Sequence, residues 1–472
     1  MDIITGKILK IHHWSEGKII GLAKTAAARL AEQGQEREAV LAQLDAVRNA
    51  PGDYLSNPIF SELAREVLRS TAQPAAEKAV RSAPLDYPIW GRSGIDSGSL
   101  AQMDAAMRLP IAIAGALMPD AHVGYGLPIG GVLAVDQAVI PFAVGVDIAC
   151  RMRLSLFPVS PYMLGQQKAV FENALRQQTR FGVGAEWKGA DRPEHAVLDD
   201  PDWQATAQLK SLVAQAERQL GTSGSGNHFV EWGRFRLYEA LGELAPGEYL
   251  ALLSHSGSRG IGYKIADRYS KLAMQLHPDL DQNLRHLAWL NLNSEPGQEY
   301  WLSMQLAGRF AAANHAIIHQ RVAAAAGLVA AVMVENHHNF AWKEQLPDGR
   351  EVIVHRKGAT PAGAGVLGII PGSMGDAGYL VRGKGAAASL ASASHGAGRK
   401  MSRKAALDSI SKAEREAYLK ERGVTLLGGG MDESPQAYKP IDEVMAAQQD
   451  LVEVIGKFSP RIVLMANESG QI

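Results

Sequence analysis

Residues 111–157, "IAIAGALMPDAHVGYGLPIGGVLAVDQAVIPFAVGVDIACRMRLSLF", constrain the fold more than any other part of the chain. The stretch is rich in Gly, Val, Ile and Ala and is broken every few residues, the pattern of short buried strands joined by tight loops. Two later blocks share this texture. One holds "GTSGSGNHFVEWG" and "YLALLSHSGSRGIG", the other "VMVENHHNFAWKE", "EVIVHRKGATPAGAGVLGIIPGSMG" and "ASASHGAGRKMSRK". Between and after them the pattern turns helical, at about 161–180, 202–220, 265–276, 299–326, 403–421 and 440–456. No repeat of fixed period is present. Blocks so far apart and so alike, with their polar residues in loops, predict one large α+β domain whose glycine-rich loops converge on a single site.

The N-terminus reads differently. From Gly17 to Leu68 the chain is Ala/Leu/Glu/Gln-rich, as in "LAKTAAARLAEQ" and "REAVLAQLDAV", with a break at Pro51-Gly52, which predicts an amphipathic helical hairpin. Residues 1–75 are set apart as a helical segment and 76–472 as the main domain. A connection with Pro74, Pro84 and Pro88 runs between them. Amphipathic helices most often pack on their own domain, and the alternative is a partner surface. The N-terminal residues are too polar for a signal peptide, no apolar stretch of about 18 residues is available to span a bilayer, and one cysteine excludes an intrachain disulfide framework. The expectation is a cytoplasmic protein without a membrane partner. With 48 Lys+Arg against 49 Asp+Glu, any nucleic acid must be held by a local basic patch.

That single cysteine, Cys150, follows Asp147 in "VGVDIAC". Two intervening residues let both side chains reach one ion if the segment turns, and thiolate with carboxylate suits manganese, zinc or iron. Taken alone, a cysteine in an apolar run is more often a small buried hydrophobe. The histidines alter that balance. His228, His255, His338 and His395 each sit beside Gly, Ser or Asn at the end of an apolar or small-residue run. With Asp147 and Cys150 they supply two metal positions and leave an imidazole for another role. His12, His13, His277, His286 and His319 lie in polar or helical text, and these, with His315 and His337, read as solvated or packed rings. The loops "GTSGSGNH", "HSGSRGIG", "IPGSMGDAG" and "SHGAGRK" expose backbone N–H groups suited to oxyanions, although none is a Walker A sequence. Arg151, Arg153, Arg259, Arg356, Lys357, Arg399, Lys400 and Arg403 stand beside them, either as a local phosphate-binding surface or as solvated charges.

The motifs "MPDAHVGYGLPIGG", "GVDIAC", "GSGNHFVE", "HSGSRGIG", "HHN", "VHRKGAT", "IPGSMG", "SHGAGRKMSR" and "DESPQAYK" occur in the order found in the RtcB family of RNA ligases, which the chain resembles over roughly residues 85–460. The resemblance implies a compact α+β fold with a mixed β-sheet core and surrounding helices. It also implies two bound manganese ions, GTP as cofactor, and the sealing of RNA in tRNA splicing or repair through a histidine–GMP intermediate. By the same resemblance Asp147, Cys150, His228, His255 and His338 are the metal ligands, with Cys150 bridging. His395 is the nucleophile. Asn227, His228, Phe229, Val230, Glu231, His338, Asn339, Pro371, Gly372, Ser373, Met374, Gly378, His395, Gly396, Ala397, Gly398 and Tyr438 match the GMP pocket, Glu231 reading the guanine edge. The implied substrates are RNA ends carrying 3′-phosphate or 2′,3′-cyclic phosphate, the cyclic form being opened first, and a 5′-hydroxyl end that attacks the activated phosphate.

The chain also departs from the pattern. The family usually carries a penultimate lysine that holds the nucleotide, whereas no lysine follows Lys457 here and Asn467 stands near that position. An amide lacks the ammonium charge that stabilises departing pyrophosphate. Gly378, Pro361 and Arg151 replace a common serine, arginine and glycine. The alternatives are therefore a metal-dependent hydrolase that opens cyclic phosphates without guanylylation, or a non-catalytic RNA- or nucleotide-binding relative.

Overall fold

The computed structural model describes residues 4–14, 18–71 and 79–467. Gly17 and Pro74, which the sequence places at the start of the hairpin and in the connection, lie outside the described residues. Strands are numbered in chain order. The larger sheet runs β12 (Leu367–Ile370), β13 (Gly378–Gly383), β16 (Val452–Met465), β5 (Phe229–Leu237), β6 (Gly247–Ser256), β4 (Arg151–Phe157) and β8 (Val332–His337). Alongside β16 lies β15 (Thr425–Gly428), the parallel pairing that makes this sheet mixed. A second, antiparallel sheet runs β1 (Ala112–His122), β2 (Ile129–Val135), β10 (Glu351–Lys357) and β9 (Asn339–Gln345). Two short ribbons complete the strands: β3 (Ala138–Val139) with β7 (Leu290–Asn291), and β11 (Ala359–Pro361) with β14 (Ser392–Ser394). With the helices around them these sheets form the expected α+β fold.

Strand periodicity explains the layering. Along β6, Leu250 and Leu252 join an apolar cluster with Ile318 and Val322 of the helix Glu295–Ala325, while Ala251 and Leu253 face a second cluster with Met152, Leu154 and Leu380. The strand is therefore buried on both faces. That long helix starts where Ser294 accepts from the Gly297 N–H and Pro296 fills the first turn. Its His319 is hydrogen-bonded to Ser155 and Ser254, and its His315 to Ser254, so both rings are packed core groups, as the sequence reading has them.

The N-terminal helical segment is α2 (Lys18–Glu32) and α3 (Arg37–Asn49), flanked by α1 (Gly6–Ile11) and α4 (Ser61–Thr71). The expected break at Pro51-Gly52 falls between α3 and α4, while the turn at 33–36 between α2 and α3 is a further break that the sequence reading lacked. These helices enclose their own apolar cluster, which Leu302 of the main domain joins. Arg65 and Arg69 add ion pairs to Glu295. Arg65 also pairs with Glu299 and donates to the Ala205 carbonyl, so the segment is held on the main domain by polar contacts as well as by Leu302. No helix among the described residues is long and apolar enough to cross a membrane.

Two helical expectations are corrected. The helix expected over 403–421 is broken by Ser411, whose capping box with Glu414 starts Lys412–Glu421 after Arg403–Ser409 has ended. The helix expected over 440–456 covers only Ile441–Ala446, and from Val452 the chain is the 14-residue strand β16. Tertiary packing decides this: Gly456 lets the Phe235 ring lie against the backbone, where a Cβ would meet it at 2.3 Å.

Candidate metal centre and active site

Neighbouring strand ends build the candidate metal centre. Cys150 is the residue before β4, His228 precedes β5, His255 is next to last in β6, and His338 lies between β8 and β9. In the ladder Met152 and Phe229 oppose His255 from either side, and Arg151 opposes both Ser256 and His337. Register thus sets all four donors in one row at one end of the sheet. Asp147 joins them through a turn in which Gly145 (φ 101°) and Ala149 (φ 57°) take positive φ. The Ala149 N–H donates to the Asn339 carbonyl at 2.7 Å and fixes that turn. Two glycines make the approach possible: a Cβ on Gly257 would fall 2.2 Å from the Asp147 carboxylate, and one on Gly224 1.7 Å from His228 Nδ1.

The donor atoms converge. Cys150 Sγ lies 3.3 Å from His228 Nε2 and 3.1 Å from His255 Nε2, Asp147 Oδ2 lies 2.9 Å from His228 Nε2, and the His255 and His338 Nε2 atoms are 3.1 Å apart. They form two triads, Cys150–His255–His338 and Asp147–Cys150–His228, sharing one sulfur. His255 Nδ1–H donates to the Asn227 carbonyl at 3.0 Å, which leaves the Nε2 lone pair facing the His338 ring. His338 Nδ1 is buried without a partner among the described residues. Nitrogen lone pairs so close call for a cation, and the mixed N, S and O set fits two borderline divalent ions. Burial, and then the Asp147 charge, push the Cys150 thiol well above its ordinary range. Burial also lowers His255 to about 3, so its ligating neutral form prevails.

Beside this centre stands His395, just past β14, its ring centroid 4.9 Å from that of His338. His395 Nδ1–H donates to Asp120 Oδ2 at 2.7 Å, and the backbone N–H groups of His395 and Gly396 reach the same oxygen at 3.1 and 3.3 Å. Burial works against ionisation of Asp120, but the hydrogen bond and charge of His395, with the charges of His122 and Lys439, together outweigh it and hold the carboxyl below the usual range. With Nδ1 committed, Nε2 is the ring atom free to react. Sequence reasoning missed Asp120, because its partner is 275 residues away. It also missed His122, which lines the same cavity and donates from Nδ1 to the Asp120 carbonyl.

The cavity over these residues has a volume of about 390 Å³. Asn227, His228, Phe229, His338, Asn339, Pro371–Met374, His395–Gly398 and Tyr438 line it as expected, whereas Val230, Glu231 and Gly378 do not. The alternation of β5 turns Val230 into the cluster with Phe171 and Trp232. Gly378 opens β13, paired with Phe458. Glu231 is buried on the face that also carries Phe229, and desolvation pushes its carboxyl well above the ordinary range. Asn339 proves a strut as well as a lining residue: its side chain donates to the Asp147 carbonyl and accepts from the Gly358 N–H. Several expected phosphate-binding cations are committed elsewhere. Arg151 and Arg153 bond to Glu335, Arg356 to Glu344, and Arg259 to Thr222 and the Gly182 carbonyl. Lys357, Arg399 and Arg403 line the cavity.

Residues 102–466 match the profile of a family described as tRNA-splicing ligase RtcB. The chain belongs to the RtcB family. It is 34% identical over 365 residues to the RNA-splicing ligase RtcB of Escherichia coli K12, covering 72% of this chain and 87% of that one. It is 33% identical over 419 residues to the tRNA-splicing ligase RtcB of Nanoarchaeum equitans (74% and 87% covered), and 31% identical over 420 residues to the RNA-splicing ligase RtcB of Mycobacterium tuberculosis (73% and 94%).

On this RtcB scaffold the sequence departures have definite places. Arg151 is buried and ties Glu335 to the Gly308 carbonyl. Pro361 ends β11, opposite Ser392. Asn467 does not line the main cavity. Its Oδ1 accepts from the Gly429 N–H at 3.2 Å, and it lines a neighbouring polar cavity with Ser225, Gly226 and Arg403.

Proposed function

We propose that this RtcB protein is an RNA ligase that uses GTP and two manganese ions to join RNA 3′-phosphate or 2′,3′-cyclic phosphate ends to 5′-hydroxyl ends in the cytoplasm. The observation that carries the reading is the pair of donor triads sharing Cys150 Sγ, set beside a histidine whose Nδ1 is fixed by a buried carboxylate. Asp147, Cys150, His228, His255 and His338 hold the ions, which when bound offset the negative charge of reacting phosphates. His395 Nε2 attacks the α-phosphorus of GTP, forming a P–N bond as the P–O bond to pyrophosphate breaks. Asp120 keeps the proton on Nδ1 and stabilises the positive charge that grows on the ring. Transfer of GMP to the RNA 3′-phosphate then frees His395, and attack by the 5′-hydroxyl expels GMP as the new phosphodiester forms.

The Pro371–Met374 and His395–Gly398 loops, with Asn227, Phe229 and Tyr438, frame the nucleotide. The family resemblance assigns the guanine edge to Glu231, which is buried outside the cavity lining and whose carboxyl meets no hydrogen-bonding partner among the described residues. A second reading, a cyclic-phosphate hydrolase without guanylylation, is favoured by the position of Asn467 outside the main cavity. Incubation of labelled RNA carrying 2′,3′-cyclic phosphate and 5′-hydroxyl ends separates the two. Sealed product that requires both manganese and GTP supports ligation, and 3′-phosphate product alone, with or without GTP, supports the hydrolase.

A further inference from the structure

Part of the cavity wall is neither the proposed metal ligands nor the Pro371–Met374 and His395–Gly398 loops. This lobe includes His122, Val123, Tyr125, Phe142, Val146 and Lys357, none of them acidic. The proposed nucleotide contacts leave this lobe unused. Tyr125 dominates it, with 68% of its surface exposed, beside Val123 at 55%.

The loop carrying Tyr125, between β1 and β2, is held firmly by its backbone. Gln102 brackets Gly124, donating to its carbonyl and accepting from its N–H. Lys357 donates to the Tyr125 carbonyl. Gly126, at φ 71°, lies so close to the neighbouring chain that a Cβ would come 2.7 Å from the His286 carbonyl oxygen. A backbone pinned at three successive residues fixes the position of a ring that remains largely in solvent. Phe142 and His286 back that ring, with centroids 6.4 and 5.9 Å from it and 4.9 Å from each other. A large exposed ring, positioned in advance at the mouth of a reaction cavity, gains most from stacking on a flat aromatic ligand.

We propose that Tyr125, backed by Phe142 and His286, is the seat of the 3′-terminal nucleobase of the RNA strand. The inference rests on the RNA-ligase reading and adds where that strand is gripped. The 3′ end is chosen because the metal centre and His395 act on its phosphate in both the ligase and the hydrolase readings, and the lobe adjoins both. A base is suited because single-stranded RNA is held by aromatic stacking with little sequence preference.

The test uses the full chain with manganese and a short RNA ending in a 3′-phosphate, with the fluorescent base 2-aminopurine at its 3′ terminus. Wild-type protein is expected to quench the label on binding. Tyr125→Ala should lose most of the quenching and bind about 5- to 150-fold more weakly, the range for loss of one base–aromatic stack. Tyr125→Phe should retain both. Equal quenching and affinity in Tyr125→Ala overturns the seat, as does quenching that appears only when the label is on the 5′-hydroxyl strand. A wild type that seals RNA while Tyr125→Ala binds the 3′ strand equally well overturns the seat and leaves the ligase reading intact. A wild type that binds neither strand overturns both.

Discussion

Asp120→Asn isolates the role of the buried carboxylate. The substitution keeps the size of the side chain and an oxygen for the His395 and Gly396 N–H groups, but it removes the negative charge 2.7 Å from His395 Nδ1. Nucleophilic attack puts positive charge on the imidazole, so the lost interaction matters more in the transition state than in the resting enzyme. A hydrogen bond to a charged group is worth about 1.5–3 kcal/mol. At about 1.4 kcal/mol per decade, protein–GMP formation should slow about 10- to 150-fold. If the amide NH₂ turns toward the ring, Nδ1 must accept and the proton moves to Nε2, which carries the loss beyond that range. The assay is a quenched time course with labelled GTP at saturating manganese, alongside metal analysis of the same protein. Metal content should be unchanged, because Asp120 belongs to neither triad. Guanylylation by Asp120→Asn at the wild-type rate would refute the argument.

Other consequences follow from the same geometry. Cys150→Ala should empty both metal positions, since each triad contains that sulfur, while His395→Ala should retain the metals and block only guanylylation; elemental analysis with a GTP-labelling gel distinguishes them. Burial keeps the Cys150 thiol protonated, so a cation must displace that proton: manganese affinity should rise with pH, and calorimetry in buffers of different ionisation enthalpy should detect proton release. No release on binding would contradict thiolate ligation. Arg356 is 1% exposed and joins Glu344, Ser392 and the Leu390 carbonyl. Arg356→Leu should therefore cost about 3 kcal/mol, the lower end for breaking a buried pair, read as a lower melting temperature with metal content preserved.

The sequence revealed the parts of the site whose chemistry is local. Asp147, Cys150 and the four histidines stand in loops or at strand ends; register brings Cys150, His228, His255 and His338 together, a turn adds Asp147, and His395 comes from the loop after β14. Asp120 escaped notice because a carboxylate gives no sign in sequence of the ring it will meet across the fold. Val230 was counted with its motif, but a strand sends adjacent residues to opposite faces, and a run of site residues along β5 is interrupted accordingly. The basic residues beside the loops were read as one surface. Seven of the eight are tied to carboxylates or carbonyls, which only the packing reveals. The segment after Ala446 was included in the helix expected over 440–456, yet the place between β13 and β5 made it a strand from Val452. The helical character of the N-terminal segment and the end of α3 before Pro51 were plainer, because a 3.6-residue period and a proline are local signals.

The most direct test is the intact mass of the protein after incubation with manganese and GTP, beside an ATP control. The account predicts a gain of about 345 Da, one covalent GMP, with GTP only, and its loss in His395→Ala. No adduct under conditions where both metal positions are filled would contradict the assignment of His395 as nucleophile.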